Sequence, residues 1–340
     1  MVRAIVVNRF ALVAFDLLEI SPTLEAAVRD QLPFPCFVVA THTHSGPGGT
    51  DPDPIAELLG EGPYVPSRPG QLAEAAAETI GMAVARRRAA VLRFGQARHP
   101  ELQEERDPGG TADPTLSVLA ADGLDHHRIA TLAVYGAHPT LLPRGERLLS
   151  ADWPGAAAAT LEKTGGVAMV LQGAGGDASV PRAGLPSDPG TQIAAFGQHV
   201  ADAVENVISA GSPVAPGPTA VAQAVVGLPA PDLSRFLGPF HGLADRLFEL
   251  WAPRAATVSV ALLGAVTLTC VPGELTGAAR TAWPADQTII SLCGGDVSYI
   301  ESPALWQNRR GEPLALLGPS LLADLLAGDR MALDAARAVP

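Results

Sequence analysis

The segment Thr41-His42-Thr43-His44-Ser45-Gly46-Pro47-Gly48-Gly49 places two histidines two residues apart, ahead of a glycine-rich turn. Side chains two apart in an extended segment point to the same side, so the pair could present two imidazoles to one ligand. A third histidine and a carboxylate from other turns would complete a nitrogen and oxygen set suited to zinc. Zinc takes neutral imidazoles, keeps one position open for water, and lowers the pKa of that water to about 7. Hydroxide available at neutral pH is the chemistry of a hydrolase.

Four other turns carry groups of the right kind. They are Gly136-Ala137-His138-Pro139-Thr140, Gly175-Gly176-Asp177-Ala178-Ser179, Pro272-Gly273-Glu274 and Gly294-Gly295-Asp296-Val297-Ser298-Tyr299. Each piece also has a plainer reading. A lone histidine at a strand end is often a hydrogen-bonded structural residue. Glu274 can cap a helix over 276–280, Asp177 can cap a helix from a plain turn, and Tyr299 can be a half-buried core residue. A serine hydrolase built on Ser179 and His44 is poorly supported, because no G-x-S-x-G elbow is present. A P-loop fails for want of Gly-Lys-Ser/Thr.

The elements that must position these turns are short apolar runs alternating with alanine-rich helical stretches. Strands are expected over 4–7, 11–15, 37–40, 91–94, 116–120, 129–135, 167–171, 221–226, 257–263, 266–270 and 288–292. Helices are expected over 23–31, 71–88, 154–163, 192–209, 239–250 and 320–336. Several strands are continuously apolar, as in sheets covered on both faces. This alternation points to an α/β fold with a mixed, largely parallel central sheet flanked by helices. The five polar turns would then gather at the carboxyl ends of the strands. Residues 50–69, rich in Pro, Gly and acidic side chains, read as a lid or pocket wall. Residues 210–218 read as a linker between two halves of a single 1–340 catalytic domain.

Composition narrows the classes further. The chain has 340 residues, 47% hydrophobic and 17% charged, enough for a sizeable core. A formal net charge of -12 argues against binding a phosphate backbone. Cys36, Cys270 and Cys293 all lie in apolar runs without C-x-x-C spacing, so reduced thiols and no disulfide are expected. The apolar start is too short for a signal peptide, and no apolar run reaches about 18 residues. A cytoplasmic protein without a membrane span is therefore expected. Lys163 is the one lysine among many Arg, Ala, Gly and Pro, a composition of GC-rich bacterial genomes.

Together these residues match a known pattern. The nine-residue segment 41–49 resembles the signature of the neutral/alkaline, non-lysosomal ceramidases, and further matches follow in the same order. Ala137-His138-Pro139-Thr140 resembles the family's His-Pro-Thr turn, and Ser150-Ala151-Asp152 its Ser-Ser/Ala-Asp segment. Gly176-Asp177-Ala178-Ser179 resembles Gly-Asp-Val-Ser, Pro272-Gly273-Glu274 the Pro-Gly-Glu turn, and Tyr299-Ile300 the Tyr-Ile-Thr segment. The resemblance implies one Zn2+ per chain held by His42, His138, Glu274 and Tyr299. It implies that His44 handles a proton or an oxyanion. Asp177 and Ser179 would lie beside the substrate, with Ser179 a hydrogen-bonding group and not a nucleophile. The implied reaction is hydrolysis of a linear amide in a small-molecule N-acyl substrate; a homo-oligomer is left open.

The departures bear on the substrate. The family's first strand and its Asn-Arg motif before the second histidine have no counterpart, and Arg98 and Arg106 are the candidates to replace that arginine. Its Tyr-Glu-Glu-Tyr and Tyr-Glu-Gly elements become Pro303-Ala304-Leu305-Trp306 and Gly311-Glu312-Pro313. Its C-terminal immunoglobulin-like domain is not matched. The metal set is kept while the substrate set is altered, so an amide or ester other than ceramide is expected. The same site would run acyl transfer in a bacterial biosynthetic pathway if an amine replaced water. The rival from another class is a non-catalytic binding protein that retains the metal.

Overall fold

The computed structural model describes residues 1–106 and 110–339. The chain opens with β1 (Val2–Val7), β2 (Phe10–Phe15), α1 (Pro22–Arg29) and β3 (Cys36–Ala40). Ser21 caps α1 by accepting from the Leu24 amide, and Pro22 supplies a first-turn residue that needs no donor. A short α2 (Pro54–Ala56) and the long α3 (Arg68–Ala85) follow. The next strands are β4 (Ala90–Arg98), β5 (Glu104–Glu105), β6 (Thr115–Gly123) and β7 (Arg128–Tyr135). Then come α4 (Asp152–Leu161), β8 (Val167–Gln172), β9 (Ala178–Ser179), α5 (Pro189–Ala210) and β10 (Ser212–Pro213). The last third holds β11 (Thr219–Gly227), α6 (Ser234–Leu237), α7 (His241–Phe248), β12 (Ala255–Leu263), β13 (Val266–Cys270) and β14 (Glu274–Leu275). It closes with α8 (Gly277–Arg280), β15 (Gln287–Ile290), β16 (Tyr299–Ile300), α9 (Pro303–Gln307) and α10 (Leu321–Arg337).

Among the described residues the strands form three larger sheets, ordered β1-β2-β3, β10-β4-β6-β7-β8 and β11-β12-β13-β15, and two small ladders, β14-β16 and β5-β9. The three larger sheets share one apolar interior, where Phe37, Leu132, Leu171 and Leu268 meet. Helices cover the outer faces. Leu24 of α1 and Ala76 and Ile80 of α3 pack on the first sheet, Trp153 of α4 and Phe196 of α5 on the second, and Leu322 and Leu325 of α10 on the third. Among the described residues no helix is long and apolar enough to cross a membrane.

Each strand expected from the apolar runs is present, but the sheet is not largely parallel. β1–β2, β4–β6, β6–β7, β11–β12 and β12–β13 all pair antiparallel. The strands are buried on both faces because sheets stack on sheets and helices pack outside. Burial on both faces produces continuous apolar runs whichever way the neighbour points. The parallel pairings are β2–β3, β7–β8, β13–β15 and β14–β16. His42, His44, His138, Asp177, Glu274, Asp296 and Tyr299 each follow or lie within one of these parallel strands. Residues 210–218 run from the end of α5 through β10 to β11 and so connect the second sheet to the third.

The cysteines also depart from expectation. Cys270 and Cys293 form a disulfide, with Cα atoms 5.2 Å apart, and only Cys36 is free, buried, its thiol pushed up to about 12 by that burial. The two are 23 residues apart in sequence, which hides the pair. Parallel pairing of β13 with β15 sets their carboxyl ends side by side, and Cys270 ends one while Cys293 lies just beyond the other. The bond ties the Pro272-Gly273-Glu274 turn to the segment that leads to Tyr299.

Candidate metal centre

His42, two residues after β3, has a φ of 67°, the left-handed region. The segment is therefore not extended, and the simple same-side argument for the histidine pair does not apply. A tight turn brings them together instead, with ring centroids 4.8 Å apart. A non-glycine residue in this conformation costs roughly 1–3 kcal/mol and persists only where its surroundings over-determine it. Here they do. Thr41 Oγ1 donates to Asp16, Thr43 Oγ1 donates to the Ser150 carbonyl at 2.6 Å, and the Ser150 amide donates to the Ser45 carbonyl. Gly48 is required for a different reason. A Cβ there would stand 1.7 Å from the Glu61 carbonyl oxygen, so only glycine lets this turn lie against the 57–61 segment.

His138 follows β7. Its Nδ1 lies 2.8 Å from the Gly175 carbonyl, and the His42 Nδ1 lies 2.9 Å from the Leu18 carbonyl. A carbonyl can only accept, so both protons sit on Nδ1 and both Nε2 lone pairs are free. The two Nε2 atoms are 3.3 Å apart. Glu274 Oε2 lies 3.1 Å from each of them, is buried, and accepts a hydrogen bond from neither. The Tyr299 hydroxyl lies 3.3 Å from His138 Nε2. The β14–β16 ladder sets Glu274 directly opposite Tyr299. Tetrahedral zinc at its usual bond lengths separates its ligand atoms by roughly 3.3–3.5 Å. His42 Nε2, His138 Nε2 and the orphaned, buried Glu274 Oε2 stand at spacings that a tetrahedral ion such as zinc accepts, with the Tyr299 hydroxyl at a like distance from His138.

The electrostatics follow from burial among these partners. Burial opposes charge on His42, but the Glu274 carboxylate overrides it and raises its pKa. At His138 burial wins and lowers it. Glu274 pays for burial, yet the two imidazoles hold its carboxyl well below the usual range. Burial and the Glu274 charge push the Tyr299 phenol up, while Arg106, hydrogen-bonded to it, pulls the other way.

His44 stands beside this set, its ring 4.8 Å from His42 and 5.7 Å from His138, and brings a ring nitrogen within 4.8 Å of theirs. Packing against protein atoms, then the two neighbouring imidazoles, lower its pKa to about 3. Its open edge faces a cavity of ≈ 280 Å³ that Thr43, Gly48, Gly60, Glu61 and Arg144 also line. Residues 50–69 thus serve as a pocket wall through Gly60 and Glu61.

Asp177 does something other than line that cavity. Its carboxyl is buried, with Oδ1 accepting from the Gly277 amide at 2.8 Å in the first turn of α8. It ties the turn that orients His138 to the segment after Glu274. Ser179, half-buried in β9, forms a backbone bridge with His138. Of the two candidate arginines, Arg98 is exposed at the end of β4. Arg106 reaches the centre, with its guanidinium on the Gly176 carbonyl, Glu312 and Tyr299. The β5–β9 ladder brings it there, and no periodicity in the sequence announces a two-residue strand. The Asp152 carboxylate accepts from the Trp153 amide at the start of α4 and from the Leu141 and Leu142 amides, which fixes the loop after His138.

Burial raises Asp177 from 3.8 to about 7, and nearby Glu105 adds to it. A carboxyl that ionises near its ordinary value in the unfolded chain and near 7 when folded makes folding take up a proton between those limits. Its contribution to stability is full at low pH and is lost as pH rises towards and through 7. Asp177→Asn keeps an acceptor for Gly277 and removes the charge. Its melting temperature relative to wild type is expected to climb from pH 5 to pH 8 and then level off. Parallel melting curves across that range would show that Asp177 does not titrate there.

A scan against family models and a search of curated proteins give no match. Solved structures do. The fold matches a neutral ceramidase from Pseudomonas aeruginosa with a TM-score of 0.79 and 18% identity, covering 98% of this chain and 68% of that one. A ceramidase complexed with C2 matches with a TM-score of 0.79 and 18% identity, covering 94% of this chain and 66% of that one. The chain spans about two thirds of the length of these ceramidases and has their fold, the fold of the family its motifs resemble.

Proposed function

We propose that this protein is a zinc-dependent amidohydrolase that cleaves an N-acyl amide bond. The observation that carries the reading is the convergence of His42 Nε2, His138 Nε2 and Glu274 Oε2, with Tyr299 beside them and both Nδ1 protons committed to carbonyls. The first sheet supplies His42, the second His138, and the third, through its flanking ladder, Glu274 and Tyr299. That division supports a single catalytic domain across all three sheets. When bound, zinc supplies Lewis acidity towards an acyl carbonyl and towards water.

The chain's own groups do the rest. His44 lies between the ligand set and the cavity, placed to donate a hydrogen bond to oxygen developing charge at the carbonyl. Arg106 holds Tyr299 in place. Asp177 acts by position, keeping the His138 and Glu274 turns in register. Ser179 lies next to His138, where its hydroxyl serves as a hydrogen-bonding group.

The test is metal analysis of the purified protein together with an N-acyl amide library. About one zinc per chain is expected, lost in His42→Ala, with turnover abolished by chelation and restored by zinc. A wild-type protein without stoichiometric metal would sink the reading. Activity that survives chelation but disappears in Ser179→Ala would replace it with a serine hydrolase. Full zinc with no turnover of any amide would replace it with a binding protein.

A further inference from the structure

We propose that the cavity beside His44 is a subsite for a carboxylate, held by Arg144, and that the substrates are small N-acyl compounds bearing that carboxylate close to the scissile amide. The reaction rests on the amidohydrolase reading; the binding site does not.

Three observations carry this. The first is size. At ≈ 280 Å³ the cavity lies at the small end of ligand pockets, a size that suits a compact polar group. The second is the lining. Thr43, His44, Glu61 and Arg144 bring polar groups to it, and Arg144 is its one arginine. The third is that Arg144 is unspent. It makes no hydrogen bond or ion pair with any described residue, whereas Arg106 is engaged by Glu312 and Arg182 by Thr140 and Gln192. Glu61 forms no ion pair with it; that carboxyl is buried and its Oε2 accepts from Thr50.

The loop carrying Arg144 is fixed at both ends. Asp152 holds the Leu141 and Leu142 amides on one side, and Ser150 is bonded to Thr43 and Ser45 on the other. The guanidinium is therefore presented over the histidine segment from an anchored loop. A guanidinium meets a carboxylate through two parallel N–H donors, a geometry that a phenol or an amide cannot return. In a chain of net charge -12, an anionic substrate needs such a local cation to enter.

The experiment compares N-acetylamino acids with their C-terminal amides on the zinc-loaded protein, by kinetics and by calorimetric binding. Wild type is expected to prefer the acids by about 10- to 100-fold in kcat/KM, the span of a charge-assisted hydrogen bond. Arg144→Gln is expected to erase that preference through KM, and Arg144→Lys to keep part of it. Equal handling of acid and amide by wild type, a preference that survives in Arg144→Gln, or binding of neither compound would overturn the subsite. Arg144-dependent binding of the acids without cleavage would uphold the subsite and refute the hydrolase. Cleavage without the preference would do the reverse.

Discussion

Glu274→Gln is expected to lower zinc affinity by more than about 100-fold and to reduce turnover of any N-acyl substrate by at least that factor, while the fold stays intact. Glu274 Oε2 is the one formally charged donor in the set and lies 3.1 Å from both Nε2 atoms. Glutamine keeps the shape and removes the charge. Its amide can also turn N–H donors towards the two imidazole lone pairs, closing the point on which they converge. Losing only a partner that orients a metal ligand costs about 10–100-fold, so losing the ligand itself should cost more. The backbone at this position pairs with Tyr299 in the β14–β16 ladder and does not depend on the carboxylate, so circular dichroism and the unfolding midpoint should barely move. A competitive zinc titration against a chromophoric chelator reads the affinity. Wild-type affinity in the variant would remove Glu274 from the set.

Trp153→Ala is expected to destabilise the protein by about 3–5 kcal/mol, the range for deleting a fully buried large aromatic side chain. Trp153 has 0% of its surface exposed and meets Phe196 edge-on with ring centroids 5.5 Å apart. It belongs to the same cluster as Tyr135, Ala137 and Leu141, the residues that flank His138. The cavity left behind would lie beneath the turn that carries that histidine. Zinc affinity should therefore fall alongside the urea midpoint. An unfolding free energy within about 1 kcal/mol of wild type would mean that α4 and α5 close over the gap.

How much of this was legible in the residues differs by element. The apolar runs that become β3, β7, β8 and β13 are readable because a strand buried on both faces admits little else. The helices are readable as alanine-rich stretches, but the expected starts at 23 and 192 miss the Ser21 and Asp188 caps that begin α1 and α5. The turns after those strands stand out because His42, His138 and Glu274 are polar residues at the edge of apolar segments. The two-residue strands were not legible. β5, β9, β14 and β16 are too short to show a period, yet they deliver Arg106 and set Glu274 opposite Tyr299.

By itself, then, the sequence shows which residues are of types that could hold a metal, that they follow buried strands, and that the resemblance to the family is kept around His42, His138, Glu274 and Tyr299 and lost at 303–306 and 311–313. The tertiary structure decided the rest: strand direction, the Cys270–Cys293 bond, the left-handed turn at His42, the placing of Arg106 over Arg98, and the small polar cavity with Arg144 at its wall. The reason is that hydrophobic pattern reports whether a residue is buried, a property of one chain position. Pairing partner, direction and cavity shape are properties of two or more distant positions at once, and a single sequence read locally carries no record of which of them meet.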